Sequence, residues 1–235
     1  MTATDAHTDR TPGRRRPLPP LPTQAERVAE LLRESLIDGA YPPRQRLSEE
    51  RLCEELGVSR NTLREAFRLL VRERLLVHQM HRGVFVAHPT SDDVRDLFRT
   101  RRVLELPALR GAIRPGEEAV RAVGAAVDEG EAARDRERWK EMGTANMRFH
   151  QALAGLAGSA RVDEFMSQVL AETRLVFHVM DAPREFHAPY LDWNRRIHTL
   201  LAAGDVTEAA DELAAYLDTS EHQLVTAFTA RERNA

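Results

Sequence analysis

The stretch GVSRNTLREAF, residues 57–67, gathers side chains suited to a nucleic acid. Gly57 permits a tight reversal, and Ser59 is a helix-capping residue type placed just before an apolar-periodic run. A helix begun at Ser59 leaves amide N–H groups free in its first turn and carries the positive end of its dipole there, which favours phosphate. Arg60 and Arg64 stand one turn apart on one side, with Asn61 and Thr62 beside them; Leu63 and Phe67 fall on the other side. Arginine suits a guanine edge or a phosphate, asparagine an adenine edge, and serine and threonine a phosphate or a thymine methyl. A helix with polar tips at its start and an apolar face behind is shaped to enter a major groove. Arg68 and Arg72 continue the i, i+4 stripe. Arg68 also reads as a solvated residue supported by Glu65, and Arg72 lies too far from the helix start to reach base edges. Downstream, His81-Arg82-Gly83 is a second contact candidate. Arg82 suits a minor groove or a phosphate, and Gly83 allows close approach of backbone.

These residues need elements to hold them. Val28, Leu31, Leu32, Leu36 and Ile37 recur at helical spacing from Thr23, and Asp38-Gly39 with Pro42-Pro43 stops that helix. Ser48 followed by two glutamates starts a second helix, with Leu52 and Leu56 inward and Gly57 at its end. The third runs from Ser59 to about Glu73. Leu76-Val77 and Val84-Phe85-Val86 flank the polar tip at 81–83, a two-stranded hairpin. Helix, short turn, helix, hairpin is the winged helix-turn-helix pattern. Beyond Pro89 only helical patterns appear, over 92–113 with a kink at Pro107, then 116–134, 137–156, 160–180, 188–203 and 205–230, with Pro183 and Gly204 as punctuation. The fold class is mainly α: a tail at 1–21, a winged domain at 22–89 and an all-α bundle at 90–235.

Composition bounds the rest. The 235 residues suffice for one large or two small domains. Residues 1–21 are rich in Pro and Arg with little to bury, and read as a disordered tail whose Arg14-Arg15-Arg16 run is mainly solvated. No apolar run reaches membrane-spanning length and the N-terminus lacks a signal-peptide core, so a cytoplasmic protein without membrane contact is expected. Lone Cys53 reads as a small apolar residue in a helical pattern. The net charge of −3 excludes a uniformly basic nucleic-acid binder, but the acidic excess lies in 90–235, leaving the first half more tolerant of an anionic partner. Lys140 stands alone against 33 arginines, so arginine count by itself carries little weight. No Gly-rich phosphate loop, His-Glu-x-x-His or nucleophile elbow is present, and an enzyme is not expected.

Residues 24–87 resemble the DNA-binding domain of the GntR family of bacterial regulators. The resemblance lies in DGAYPP, QRLSEERLCEELGVSRNTLREAFRLL and the wing HRGVFVA. Arg44 and Arg74 stand where the family often has glycine. The second half is similar to the FCD-type effector domain of the FadR-like branch, through RRVLELPALRGAI, ANMRFHQALAGLAGS and AAGDVTEAADELAAYL. That resemblance implies a homodimer, a ligand cavity in the bundle and often a divalent metal held by one Asp and three His. Here those positions carry Asn146, His150, Asn194 and Tyr216. One imidazole with two amides is a poor set for such an ion, leaving His150 as the sole plausible ligand and a metal as an unfavoured cofactor. The same four residues offer donors and acceptors for an organic effector held directly. Arg102, paired in the motif with Glu105, and Arg174 are candidates for a carboxylate on that effector, with His178 one turn after Arg174.

The expected function is a DNA-binding transcription regulator, a repressor by family habit. A homodimer would meet an inverted-repeat operator, and a small-molecule effector, such as an organic acid, would control it. The alternatives are a metal-dependent small-molecule binder or helical enzyme with a vestigial winged domain, and a winged module used for protein contacts. Neither needs Arg60 and Arg64 exposed.

Overall fold

The computed structural model describes residues 21–112, 116–180 and 182–233. Residues 1–20 of the tail expected at 1–21, with its Arg14–Arg16 run, and the end of the helix read to 113 lie outside them. Helix α1 (Gln24–Ile37) opens on a complete capping box, in which Thr23 caps the Glu26 amide and the Glu26 carboxylate accepts from Thr23 N–H. Strand β1 (Arg46–Leu47) follows, then α2 (Glu49–Leu56) capped by Ser48, and α3 (Arg60–Arg72) capped by Ser59. Gly57, in the left-handed conformation at φ 62°, ends α2 and makes the turn into α3. Strands β2 (Leu76–Gln79) and β3 (Gly83–Val86) form the hairpin.

The sheet has three strands, not the two expected, in the antiparallel order β1-β3-β2. Arg46 pairs with Phe85 and Leu47 with Val84. Two residues carry no alternation for a sequence pattern to detect; β3 supplies the ladder that makes them a strand.

Among the described residues the second half holds α4 (Ser91–Gly111), α5 (Glu117–Asp135), α6 (Trp139–Gly155), α7 (Ala160–Met180), α8 (Pro183–Ala203) and α9 (Val206–Arg233). Helix α4 opens on a second capping box, Thr90 with Asp93, and runs through Pro107. Helix α8 begins at Pro183 rather than 188. A proline fits a first-turn position, where no N–H is needed. Pro189 then sits inside the helix, and the carbonyl its missing N–H leaves free, that of Glu185, accepts from Gln223 Nε2 of α9 at 3.3 Å. No helix among the described residues is long and apolar enough to cross a membrane.

Among the described residues the two largest apolar clusters organise the winged half and the bundle. Val28, Leu32, Leu36, Leu63, Phe67, Leu70 and Val86 pack the winged half, and Ala171 and Leu175 of α7 join that same cluster. Val94, Phe98, Phe149, Val176, Ile197, Leu213 and Phe228 pack the bundle. Helix α7 thus belongs to both cores, inside the bundle and against the end of α1.

Candidate nucleic-acid interface and effector site

The α3 face matches the chemistry its residues offer. Leu63, Ala66, Phe67 and Leu70 are buried, while Arg60, Asn61, Arg64 and Arg68 are exposed. The Ser59 hydroxyl is committed to the cap: it accepts from Thr62 N–H at 3.1 Å and lies 2.9 Å from the Thr62 hydroxyl. Ser59 and Thr62 therefore shape the helix start, and the amides of Arg60 and Asn61 remain there for an anion. Arg64 is oriented by Glu49, from the first turn of α2, with Nε at 3.2 and 3.1 Å from the carboxylate oxygens. That carboxylate holds the Arg64 guanidinium above its ordinary pKa, by hydrogen bond first and charge second. Arg68 pairs with Glu65 on its own helix. Arg60 makes no salt bridge among the described residues.

A cleft between α3 and the hairpin is lined by Glu49, Arg64, Phe67, Arg68, His78 and Val84. At the hairpin tip Met80, His81 and Arg82 are exposed. The turn places His81 at φ 60° and Gly83 at φ 107°. A methyl on Gly83 would lie 3.2 Å from Arg46 Nε, so the guanidinium of Arg46 rests against the bare glycine. Arg82 leans over the Phe85 ring at 5.9 Å.

Inside the bundle, Asn146, His150, Asn194 and Tyr216 do converge, all 7% exposed or less. They form one directional chain. Asn194 Nδ2 donates to Asn146 Oδ1 at 2.8 Å, and Asn146 Nδ2 donates to the Tyr216 hydroxyl at 3.2 Å. The hydroxyl lies 3.0 Å from His150 Nε2, and His150 Nδ1 lies 2.7 Å from Glu105 Oε2. Arg101 Nε completes the chain on Glu105 Oε1 at 2.8 Å. With Glu105 ionised, Nδ1 of His150 carries the proton and Nε2 accepts from Tyr216. Burial pushes Glu105 up, but Arg101 and His150 together hold it below the usual carboxylate range. Burial, reinforced by Arg101, lowers His150 and keeps its ring neutral; burial also raises the Tyr216 phenol.

Arg102 is not part of this chain. It lies on the bundle exterior, bonded to Asp218 and Glu221 at 2.6 Å each. The inward arginine is Arg101, four residues before Glu105 and on the same buried stripe as Val94, Leu97, Phe98 and Ala108. The i, i+4 rule carries that signal, whereas a spacing of three picks the outward neighbour. Arg174 and His178 lie elsewhere too, on the part of α7 that meets the end of α1, where both donate to the Ile37 carbonyl. His187 on α8, 2% exposed with both ring nitrogens unpartnered, had no sequence signal at all. It stands in no motif, and its surroundings come from other helices.

The interior donor set does not suit a divalent cation. His150 has both nitrogens engaged, the other three groups are neutral amides or a phenol, and among the described residues no group of three His, Cys, Asp or Glu could hold a metal ion. Two buried atoms in the strip lack partners, Arg101 Nη2 and Asn194 Oδ1.

Comparison with known proteins fits both halves. Residues 24–86 match the family of bacterial regulatory proteins named gntR, and residues 96–219 match the FCD domain. The crystal structure of a GntR transcriptional regulator from Rhodococcus sp. RHA1 superposes with a TM-score of 0.83 at 44% identity, covering 87% of this chain and 99% of that one. An uncharacterised HTH-type transcriptional regulator of Paraburkholderia xenovorans LB400, BphR, is 34% identical over 149 residues, 60% of this chain and 61% of its own length. The galactonate operon transcriptional repressor of Escherichia coli K12 is 40% identical over 65 residues, 27% of this chain and 28% of its own. The chain therefore spans less than two thirds of these curated relatives. The gntR match falls on the winged elements and the FCD match on the bundle: this chain belongs to the GntR family of transcriptional regulators, with a C-terminal FCD domain.

Proposed function

We propose that the protein is a sequence-specific DNA-binding regulator, acting as a cytoplasmic homodimer that represses transcription from an inverted-repeat operator. A small-molecule effector in the bundle controls it. The observation that carries this reading is α3: its buried face is anchored in the winged core while Arg60, Asn61 and Arg64 project from its capped start beside the wing. In a dimer two such helices would meet two half-sites of one operator. Arg68, His81, Arg82 and Gly83 would contact the flanking backbone or minor groove.

The effector is held, in this reading, by the strip from Arg101 and Glu105 through His150, Tyr216 and Asn146 to Asn194. The two unpartnered atoms there, Arg101 Nη2 and Asn194 Oδ1, offer one donor and one acceptor to an organic molecule. Selection from random-sequence duplexes at about 0.15 M salt tests the DNA half. Enrichment of a two-fold symmetric site is expected. Retention of duplexes without sequence enrichment, in the presence and absence of cell extract metabolites, refutes it.

A further inference from the structure

Arg46 of β1 carries its charge away from its own place in the ladder. The register pairs Arg46 with Phe85 and Gln79 with Gly83. Arg46, Phe85 and Gly83 therefore share one face of the sheet, opposite buried Leu47, Val84 and Val86. The Arg46 guanidinium lies against Gly83, two residues nearer the hairpin tip. A methyl on Gly83 would be 3.2 Å from Nε, 3.6 Å from Nη2 and 3.9 Å from Cζ. At about 3.3 Å of rise per residue, Gly83 is about 7 Å along the strand from the pairing partner. The missing side chain at 83 makes room for the guanidinium.

Neither this arginine nor the one at the tip is neutralised. Among the described residues no carboxylate lies within 4.0 Å of the Arg46 or the Arg82 guanidinium, and neither side chain donates a hydrogen bond to the protein. Elsewhere in the winged half Arg33 is held by Glu73 at 2.7 Å, Arg51 by Glu55 at 2.6 Å and Arg64 by Glu49 at 3.0 Å. Glu49 stands three residues after Arg46 in the chain, yet it serves Arg64. Arg82 leans over the Phe85 ring, 5.9 Å from its centre and within cation–π reach. Two exposed cations thus border Phe85 at the end of the hairpin, each steadied by a contact that leaves its N–H groups free.

An exposed arginine by itself is ordinarily a solvated one. Place and pre-ordering distinguish Arg46. Its guanidinium is delivered to the tip of the wing, beside the helix that offers its polar start to a nucleic acid. A side chain already laid along the sheet loses less freedom on binding than one free in solvent. The guanidinium fork matches phosphate oxygens, and each phosphate it neutralises releases condensed counterions. Arg46 gave no signal in the sequence. It precedes α2, far from the hairpin in the chain, and only the pairing of β1 with β3 brings it there.

We propose that Arg46 is a further DNA contact, a phosphate-binding residue of the wing, and that Gly83 is the seat that positions it. This rests on the DNA-binding regulator reading and adds to it a contact from outside α3 and the hairpin. It also changes what Gly83 does: the glycine admits a guanidinium rather than bringing its own backbone to the duplex. A phosphate contact fixes the placement of protein on DNA and carries no sequence information. Arg46 therefore supplies affinity and register, and base reading is left to Arg60, Asn61 and Arg64.

The test uses the full chain and two labelled duplexes of equal length, the site recovered by selection and a scrambled one, read by fluorescence anisotropy across a salt series. Arg46→Ala lowers the slope of log affinity against log salt by about 0.9 on both duplexes and weakens binding about fivefold at about 0.15 M salt. The ratio of the two affinities stays unchanged. Arg46→Lys restores the slope, and Arg121→Ala, which removes the same charge from α5, leaves it unaltered. Gly83→Ala weakens binding of the parent chain but adds no more than about twofold in the Arg46→Ala background. Arg46 is exposed, so its variants keep the parent thermal midpoint. An unchanged slope in Arg46→Ala overturns the contact, and a changed affinity ratio overturns its assignment to phosphate. A Gly83→Ala effect of equal size in both backgrounds overturns the seat. A parent chain that binds neither duplex refutes the regulator reading itself, which an unchanged slope does not.

Discussion

Removing one oxygen from the bundle interior should cost far more than its size suggests. In Tyr216→Phe the ring keeps its neighbours, edge-on to His150 at 5.0 Å and tilted against Tyr190 at 4.8 Å. What disappears is the hydroxyl that accepts from Asn146 and donates to His150 Nε2. Both partners are buried, so one acceptor and one N–H are left unmatched, at about 1–3 kcal/mol each. Allowing for the hydroxyl desolvation that is no longer needed, the loss is about 2–4 kcal/mol. For a chain of this length that is a midpoint drop of roughly 5–15 °C. Trp139 and Trp193 both lie in the bundle, so tryptophan fluorescence during urea unfolding reports this half. A loss below about 0.5 kcal/mol at unchanged slope would mean that the chain from Arg101 to Asn194 is not a connected network, and the reasoning would fail.

Three further outcomes follow from the same geometry. Arg60→Ala and Arg64→Ala should each weaken operator binding by about 1–3 kcal/mol if they contact bases, or reduce the salt slope by about 0.9 if they meet phosphate; Glu49→Gln should free Arg64 and raise nonspecific affinity, all read by fluorescence anisotropy across a salt series. Arg44 and Arg74 occupy left-handed conformations at φ 69° and 57°. Glycine there removes about 1–2 kcal/mol of strain against a smaller gain in unfolded-state entropy, so either Arg→Gly change should stabilise by about 0.5–1 kcal/mol in thermal unfolding. Burial holds His187 down to about 3 and lowers His150 from its ordinary value. An unfolded chain takes up those protons below about pH 6.5 while the folded one does not, so stability is full above that pH and falls by about 1.4 kcal/mol per unit per histidine as pH drops toward each folded pKa. His187→Phe should flatten the stability–pH curve below pH 6.5, and an unaltered slope would contradict its neutral burial.

The sequence alone determined whatever is carried within about one helical turn. Ser48 before two glutamates and Ser59 before the apolar stripe of α3 each announce a helix start through groups no more than a few residues apart, and Gly57 announces the turn between α2 and α3. The polar start of α3 and the hairpin tip were legible for the same reason. Asn146, His150, Asn194 and Tyr216, positions singled out by resemblance, meet one another in the bundle interior. What only the tertiary structure decided are partnerships between distant residues. β1 exists because β3 pairs with it, and Gln223 serves the carbonyl that Pro189 leaves free. Arg101 rather than Arg102 faces inward because its neighbours on that stripe are buried, and Glu105 meets His150 from 45 residues away. Arg174 and the Ile37 carbonyl are 137 residues apart in the chain. Whether a buried charge finds a counter-charge, a neutral oxygen or nothing depends on which helices pack around it. Local spacing holds no record of that.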